Sequence, residues 1–218
     1  QVPSFDQLWA ERLDQLVHDA GDAARGSLEI AAALGRRFTR SELQAVSASL
    51  AVAPMSELEA MCDARGLWRV DDVELAFIHE SFRRIVVEQS RRRGTWKTWI
   101  AGCLGVLHTA DAARRAYWET ELEHHTHAAR SYLEAARDAT RRSETSRTIR
   151  HINEAQRALE KLPHAQRERP QAELQCARAE VWMLDRSEDA DRLAAEVAEL
   201  ARKRGWHDLV GAALAVRA

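Results

Sequence analysis

The chain has 218 residues, of which 45% are apolar and 30% charged, with 32 basic against 34 acidic side chains. That balance belongs to a globular fold and excludes a disordered chain. No window approaches the ~18 apolar residues that a membrane-spanning helix needs. Cys62, Cys103 and Cys176 are too few and too far apart for a disulfide framework or a paired-cysteine zinc site, and they are expected as small buried apolar groups.

Ser4 and Gln7 have the spacing of a capping box and open a helix through about Asp19, with Phe5, Leu8, Trp9, Leu13, Leu16 and Val17 on its apolar side. Asp22 is placed to cap a second helix that ends near Gly35. Thr39 and Glu42 repeat the capping box before a third helix carrying Leu43 and Val46. Pro54 suits the first turn of a fourth, with Met55, Leu58 and Met61, closed by Gly66. Leu67-Trp68-Arg69-Val70 and Val73-Glu74-Leu75-Ala76-Phe77-Ile78 read as two short strands about a polar Asp71-Asp72 turn. This hairpin is expected to be the only β structure. A helix then carries Phe82, Ile85, Val86 and Gln89 as far as Arg91-Arg92-Arg93 and Gly94, where a domain boundary is placed.

From Thr95 onward the pattern is wholly helical. Trp96, Trp99, Ile100, Cys103, Leu104 and Leu107 form one stripe, and Asp111 is placed to cap the next helix. Two helical hairpins are expected, His127 to about Leu162 and Gln171 to Gly205, with Trp206 opening another helix. The second is close to the ~34-residue spacing of TPR repeats, whose hairpins bury both faces only by stacking. Ala177, Val181 and Leu184 are expected to face Ala190, Leu193, Ala194 and Val197. The stripe Leu209, Ala213 and Leu214 is expected to need a further helix beyond Ala218, so the chain reads as a piece of a longer protein. The expected fold is mainly α: a winged-helix domain over residues 1–93, made of helices and one small hairpin, then a TPR-like array over 94–218.

Leu28-Glu29-Ile30-Ala31-Ala32-Ala33-Leu34-Gly35-Arg36-Arg37-Phe38 resembles the helix-Gly-Arg-Arg-Phe segment of the winged helix in STAND-type signalling ATPases, and Ile78-His79-Glu80 resembles that family's Met-His-Asp motif. With Phe77 and Arg83 in place, the segment also matches the Phe-x-His-x-x-x-Arg form of the large LuxR-type regulators. Ile78 stands for the family's Met and Glu80 for its Asp. The resemblance implies that His79 reaches the phosphates of ADP held by an ATPase core upstream of Gln1. It implies a non-catalytic regulatory segment in a protein that uses ATP or ADP, with the helical array binding a protein, peptide or small-molecule inducer and with oligomerisation on activation. No Walker-A loop, Gly-x-Gly-x-x-Gly turn or Gly-x-Ser-x-Gly elbow occurs in the chain, so no enzyme site is expected in this segment.

Two other classes stand beside this reading: a DNA-binding regulator and a free-standing TPR-type adaptor. Charge opposes the first. Residues 1–93 hold 12 arginines against 15 acidic residues, and the helix in the recognition position carries Glu57, Glu59 and Asp63 against Arg65. Arg91 to Arg93 are expected to complement the helix dipole or be solvated. His124 and His127 have an i, i+3 spacing that suits a shared metal, but with His125 they read better as a polar helix face. Trp96, Trp99, Trp118 and Trp182 are expected as interhelical core. The opening Gln1-Val2-Pro3-Ser4 has no signal-peptide character, and a cytoplasmic location without a membrane partner is expected.

Overall fold

The computed structural model describes residues 4–52, 57–183 and 187–217. Pro54 and Met55, expected to open the fourth helix, and Leu184, expected at a hairpin contact, lie outside the described residues. Among the described residues the protein is mainly α, with twelve helices and three short strands, and no helix is long and apolar enough to cross a membrane. The chain divides into two compact units, Gln1–Thr109 and Ala110–Ala218.

In the first unit, α1 (Phe5–Ala20) starts at the capping box, with the Gln7 amide donating to Ser4 Oγ at 3.2 Å and the Ser4 amide donating to Gln7 Oε1 at 2.7 Å. Its buried side is Trp9, Leu13, Leu16 and Val17, whereas Leu8, expected on that side, is 43% exposed. α2 (Asp22–Leu34) follows after Gly21 alone. The Gly21 amide closes α1 on the Val17 carbonyl at a positive φ of 82°, so Gly21 and not Asp22 stands at the cap. From Leu28 to Leu34 every side chain of α2 is buried, because α1, α3, α5 and α6 all pack around it. A helix enclosed on all sides is apolar all round, and Glu29 breaks that rule.

The chain then forms β1 (Arg37–Thr39), α3 (Arg40–Ser49), α4 (Leu58–Ala64), β2 (Trp68–Val70), β3 (Glu74–Phe77), α5 (Glu80–Arg93) and α6 (Trp96–Val106). β1 corrects the expectation that the hairpin is the only β structure. The strands make an antiparallel sheet in the order β1-β3-β2, with Phe38 opposite Leu75 and Trp68 opposite Phe77. A three-residue strand shows too little alternation to be read locally, and it forms because β3 offers it a free edge. Directly opposed residues share a sheet face, so Phe38, Trp68, Leu75 and Phe77 meet in the core. Ring contacts run from Trp68 and Phe38 through Phe77 to Phe82 at centroid distances of 5.5 to 6.2 Å. Val73, expected in a strand, lies in the turn and is 71% exposed. Arg40 holds that turn, donating to the carbonyls of Asp71 at 3.0 Å and Asp72 at 2.6 Å while its Nε pairs with Glu59 of α4 at 2.7 Å.

The boundary expected at Gly94 does not coincide with the edge of this unit, because α6 packs on α2, α3 and α5. Gly102 permits the approach to α3: a Cβ there would lie 2.5 Å from Cδ1 of Leu50. Gly94 ends α5 at a φ of 74° but only turns the chain into α6.

The second unit is a succession of antiparallel helices: α7 (Ala112–Glu121), α8 (His125–Arg141), α9 (Thr145–Glu160), α10 (His164–Trp182), α11 (Ser187–Arg204) and α12 (His207–Val216). Asp111 caps α7 as expected, accepting from the Arg114 amide at 3.0 Å. The hairpins pair α8 with α9 and α10 with α11. α10 begins at His164, ahead of the expected Gln171, and continues through a buried Pro170. Proline removes one intrahelical bond, and packing on both neighbours sustains the helix past it. One side of α10, with Leu174, Ala177 and Val181, packs against α8 and α9, while Ala172, Cys176 and Ala179 pack with Ala194 and Val197 of α11. The expectation that Ala177 and Val181 face α11 is therefore corrected; a helix between two partners carries two apolar stripes, and the expectation assigned the wrong one. Leu209 and Ala213 are likewise already buried against α10 and α11, leaving Leu214 of that stripe 41% exposed.

Three of the turns share one geometry. A residue with positive φ (Glu123, Ser143 or Gly205) is followed by an amide that reaches back five residues, from His124 to Glu119, Glu144 to Ala139 and Trp206 to Ala201. This is the Schellman closure, in which glycine carries no steric penalty. Ser143 is exposed, with φ 60°. A left-handed residue with a Cβ costs roughly 1–2 kcal/mol, partly offset by the extra freedom glycine has when unfolded. Ser143→Gly is therefore expected to stabilise the chain by about 0.5–1 kcal/mol in urea unfolding. A loss of stability would show that the serine hydroxyl contributes to the turn.

Candidate functional site

His79 stands where β3 gives way to α5. The strand ends because Phe77 donates to the Arg36 carbonyl at 2.9 Å and Ile78 to the Leu67 carbonyl at 3.0 Å, leaving His79 in extended geometry at the N-cap of α5. Its side chain makes no capping hydrogen bond and is exposed. The ring leans on the Trp9 indole at a centroid distance of 5.1 Å, and Trp9 packs on Phe82 at 5.6 Å. The aromatic core of the unit thus ends at the surface in an imidazole. Both ring nitrogens are chemically suited to donate to or accept from a group outside the unit.

Arg83, the second residue singled out with His79, has a scaffold role. Its guanidinium grips Glu80 through Nε at 2.9 Å and Nη2 at 2.6 Å, and Nη1 donates to the Ala32 carbonyl of α2 at 3.0 Å. That bond ties the start of α5 to α2. Arg83 therefore packs back onto α2, while His79 stays at the surface. Phe38, from the Gly-Arg-Arg-Phe segment, is buried in the sheet core, while Arg37 is exposed and lies 3.7 Å from Glu74.

The run Arg91 to Arg93 divides. Arg92 pairs with Glu88 on the surface, but Arg93 pairs with Glu29, which is 2% exposed. Glu29 also accepts from Ser90 Oγ at 3.0 Å, Thr95 Oγ1 at 2.8 Å and Trp99 Nε1 at 2.6 Å. One carboxylate thus joins α2, α5 and α6. Burial lowers the Arg93 pKa, and the nearby Arg25 charge lowers it further while Asp14 opposes. Trp99 is consequently half-buried and hydrogen-bonded, whereas Trp96 and Trp118 are fully core residues and Trp182 is half-buried. A lone acid between Leu28 and Ile30 was the available sequence signal for this hub.

The acidic residues of the recognition-position helix are exposed at Glu57 and Asp63, while Glu59 is taken up by Arg40 and Arg65 pairs with Asp19. In the second unit the rings of His124 and His127 lie 6.3 Å apart at the start of α8, and among the described residues no three of His, Cys, Asp and Glu gather as metal ligands. All three cysteines are buried. Burial pushes the Cys62 thiol up to about 12 and Cys176 up to about 11, so neither offers a thiolate near neutrality.

A groove of about 680 Å³ lies between α10 and α11 of the second unit. Ala172, Leu193, Val197 and Leu200 give it an apolar floor, and the Glu168–Arg204 pair at 2.6 Å closes part of its rim. Such a floor with a polar rim suits a small amphipathic ligand or a side chain of a partner. No family model, curated protein or solved structure matches this chain.

Proposed function

We propose that this chain is a regulatory segment of a STAND-type signal-transduction ATPase, with a winged helix over the first unit's helices and sheet and a TPR-like array after it. The winged helix controls a nucleotide-bound resting state, and the array binds an inducer. The observation that carries the reading is His79: an exposed imidazole at a strand-to-helix junction, backed by Trp9 and rigidly placed by Arg83. Support also comes from the element order helix, strand, two helices, hairpin and helix with sheet order β1-β3-β2, which is how winged helices are built. The α10–α11 groove supplies a place for the inducer, and successive helical hairpins suit extended binding surfaces.

A ligand shifts such a switch only through different affinities for its two states. A phosphate contact from His79 exists only in the closed state and therefore favours it. DNA binding by the first unit is disfavoured by the exposed Glu57, at the N-cap of α4, and Asp63 within it, which would repel a phosphate backbone. The native reading frame tests the proposal: a Walker-A loop is expected upstream of Gln1. A native frame carrying no nucleotide-binding module beside this segment would leave His79 without a partner and favour the adaptor reading.

A further inference from the structure

In the first unit, α1 and the turn from α4 into β2 line a second feature. A cleft of about 290 Å³ is lined by Arg12 and Gln15 of α1 and by Arg65 and Leu67. Its two guanidiniums are not neutralised in the usual way. Arg12 lies over the Trp9 ring at 5.0 Å and, among the described residues, meets no carboxylate. Arg65 gives Nη2 to Asp19 at 2.5 Å, yet its Nη1 is buried with no acceptor. A buried donor of a charged group without a partner costs on the order of 1–3 kcal/mol or more, and such groups are rare in folded proteins. Gln15 spends its amide nitrogen on Asp19 at 2.8 Å, so Asp19 is the local counter-charge for Arg65 alone. Two cations, one carboxylate and an unfilled space leave a net positive cleft with donors directed by rigid supports.

We infer that this cleft is an anion site, in which a phosphate-type oxyanion sits between the guanidinium groups of Arg12 and Arg65. Guanidinium forks match tetrahedral oxyanions in geometry and are weakly hydrated, so two of them facing one space favour phosphate over chloride. Leu67 supplies an apolar wall, which strengthens each charge-assisted bond by excluding water. Asp19 competes with the anion for Arg65: its carboxyl is held below the usual range first by the Arg65 hydrogen bond, so it stays ionised. The site does not depend on His79 or on an upstream ATPase core. The phosphate can be free or carried by a nucleotide.

Calorimetric titration of the chain with sodium phosphate at constant chloride tests this, with ADP and adenosine as separate arms. Saturable phosphate binding is expected, weakened about ten-fold or more by Arg12→Gln, since one charge-assisted bond is worth that factor. Arg12 is exposed, so Arg12→Gln is expected to keep its fold by circular dichroism. Arg65→Gln should weaken binding similarly, and Asp19→Asn should tighten it several-fold by freeing Arg65. ADP binding well above phosphate, with adenosine silent, assigns the site to a nucleotide's phosphates; equal affinities assign it to free phosphate. No saturable heat from the unmodified chain, unchanged affinity in folded Arg12→Gln, or weaker binding by Asp19→Asn each overturns the inference.

Discussion

Replacing Glu29 with alanine is expected to destabilise the first unit by roughly 2–4 kcal/mol, the cost of leaving donors of α5 and α6 without their shared buried acceptor. The size follows from what is left behind. Ser90, Thr95 and Trp99 each lose the acceptor of a bond between 2.6 and 3.0 Å, and Arg93 loses its carboxylate. Ser90 and Thr95 keep the bond between their hydroxyls at 2.9 Å, so the largest loss falls on Trp99 and on the tie between α2 and α6. Folded domains hold only ~5–15 kcal/mol in total, so the first unit should approach its unfolding threshold. Glu29→Gln keeps one acceptor oxygen but not the charge opposite Arg93, and a smaller loss is expected. Urea unfolding of the full chain, followed by tryptophan fluorescence and fitted for two units rather than one, measures both. A loss below about 1 kcal/mol for Glu29→Ala would mean that water replaces the network, contrary to its burial.

The Glu29 hub also shows why the first compact unit runs past Gly94. Arg93-Gly94 reads locally as a basic helix end followed by a helix stop, and the turn is there. What holds α6 to the first unit is a carboxylate about seventy residues away in sequence, from Glu29 to Trp99, and no local pattern carries that. Features set by neighbours in sequence were legible. The capping boxes at Ser4 and Thr39, the Asp111 cap, the Gly66 and Gly94 stops and the hairpin at Asp71-Asp72 all form as their local chemistry dictates. Features set by partners distant in sequence were not. β1 exists because β3 has an edge to pair, and α10 carries two apolar faces because it lies between α9 and α11. At the candidate site the same division holds. The position of His79 between strand and helix was legible from the apolar run before it, whereas Trp9 and Arg12 on α1 and Arg65 after α4 are distant from it in sequence and only the fold brings them near their partners.

The second large effect is functional. Within this chain His79 gives up little when replaced: its side chain makes no capping bond, and its ring contact with Trp9 is of a kind worth about 0.5–1.5 kcal/mol at most. The fold and the stability of the first unit should therefore be nearly unchanged in His79→Ala. On the proposed reading, in which the native polypeptide carries an ATPase core, the same substitution would remove a charge-assisted bond to a nucleotide phosphate, worth roughly 1.5–3 kcal/mol. Because that bond belongs to the closed state, its loss shifts the equilibrium toward the open one and raises basal signalling without inducer. Affinity for ATP in the open state should barely change.

The decisive measurement is the ADP dissociation constant of that native polypeptide and of its His79→Ala variant, side by side with ATP. An ADP affinity lower by about ten-fold or more, with ATP affinity and the unfolding midpoint unaltered, is the result the switch predicts. Unchanged ADP affinity in a normally folded variant would contradict it and leave His79 as a surface residue resting on Trp9.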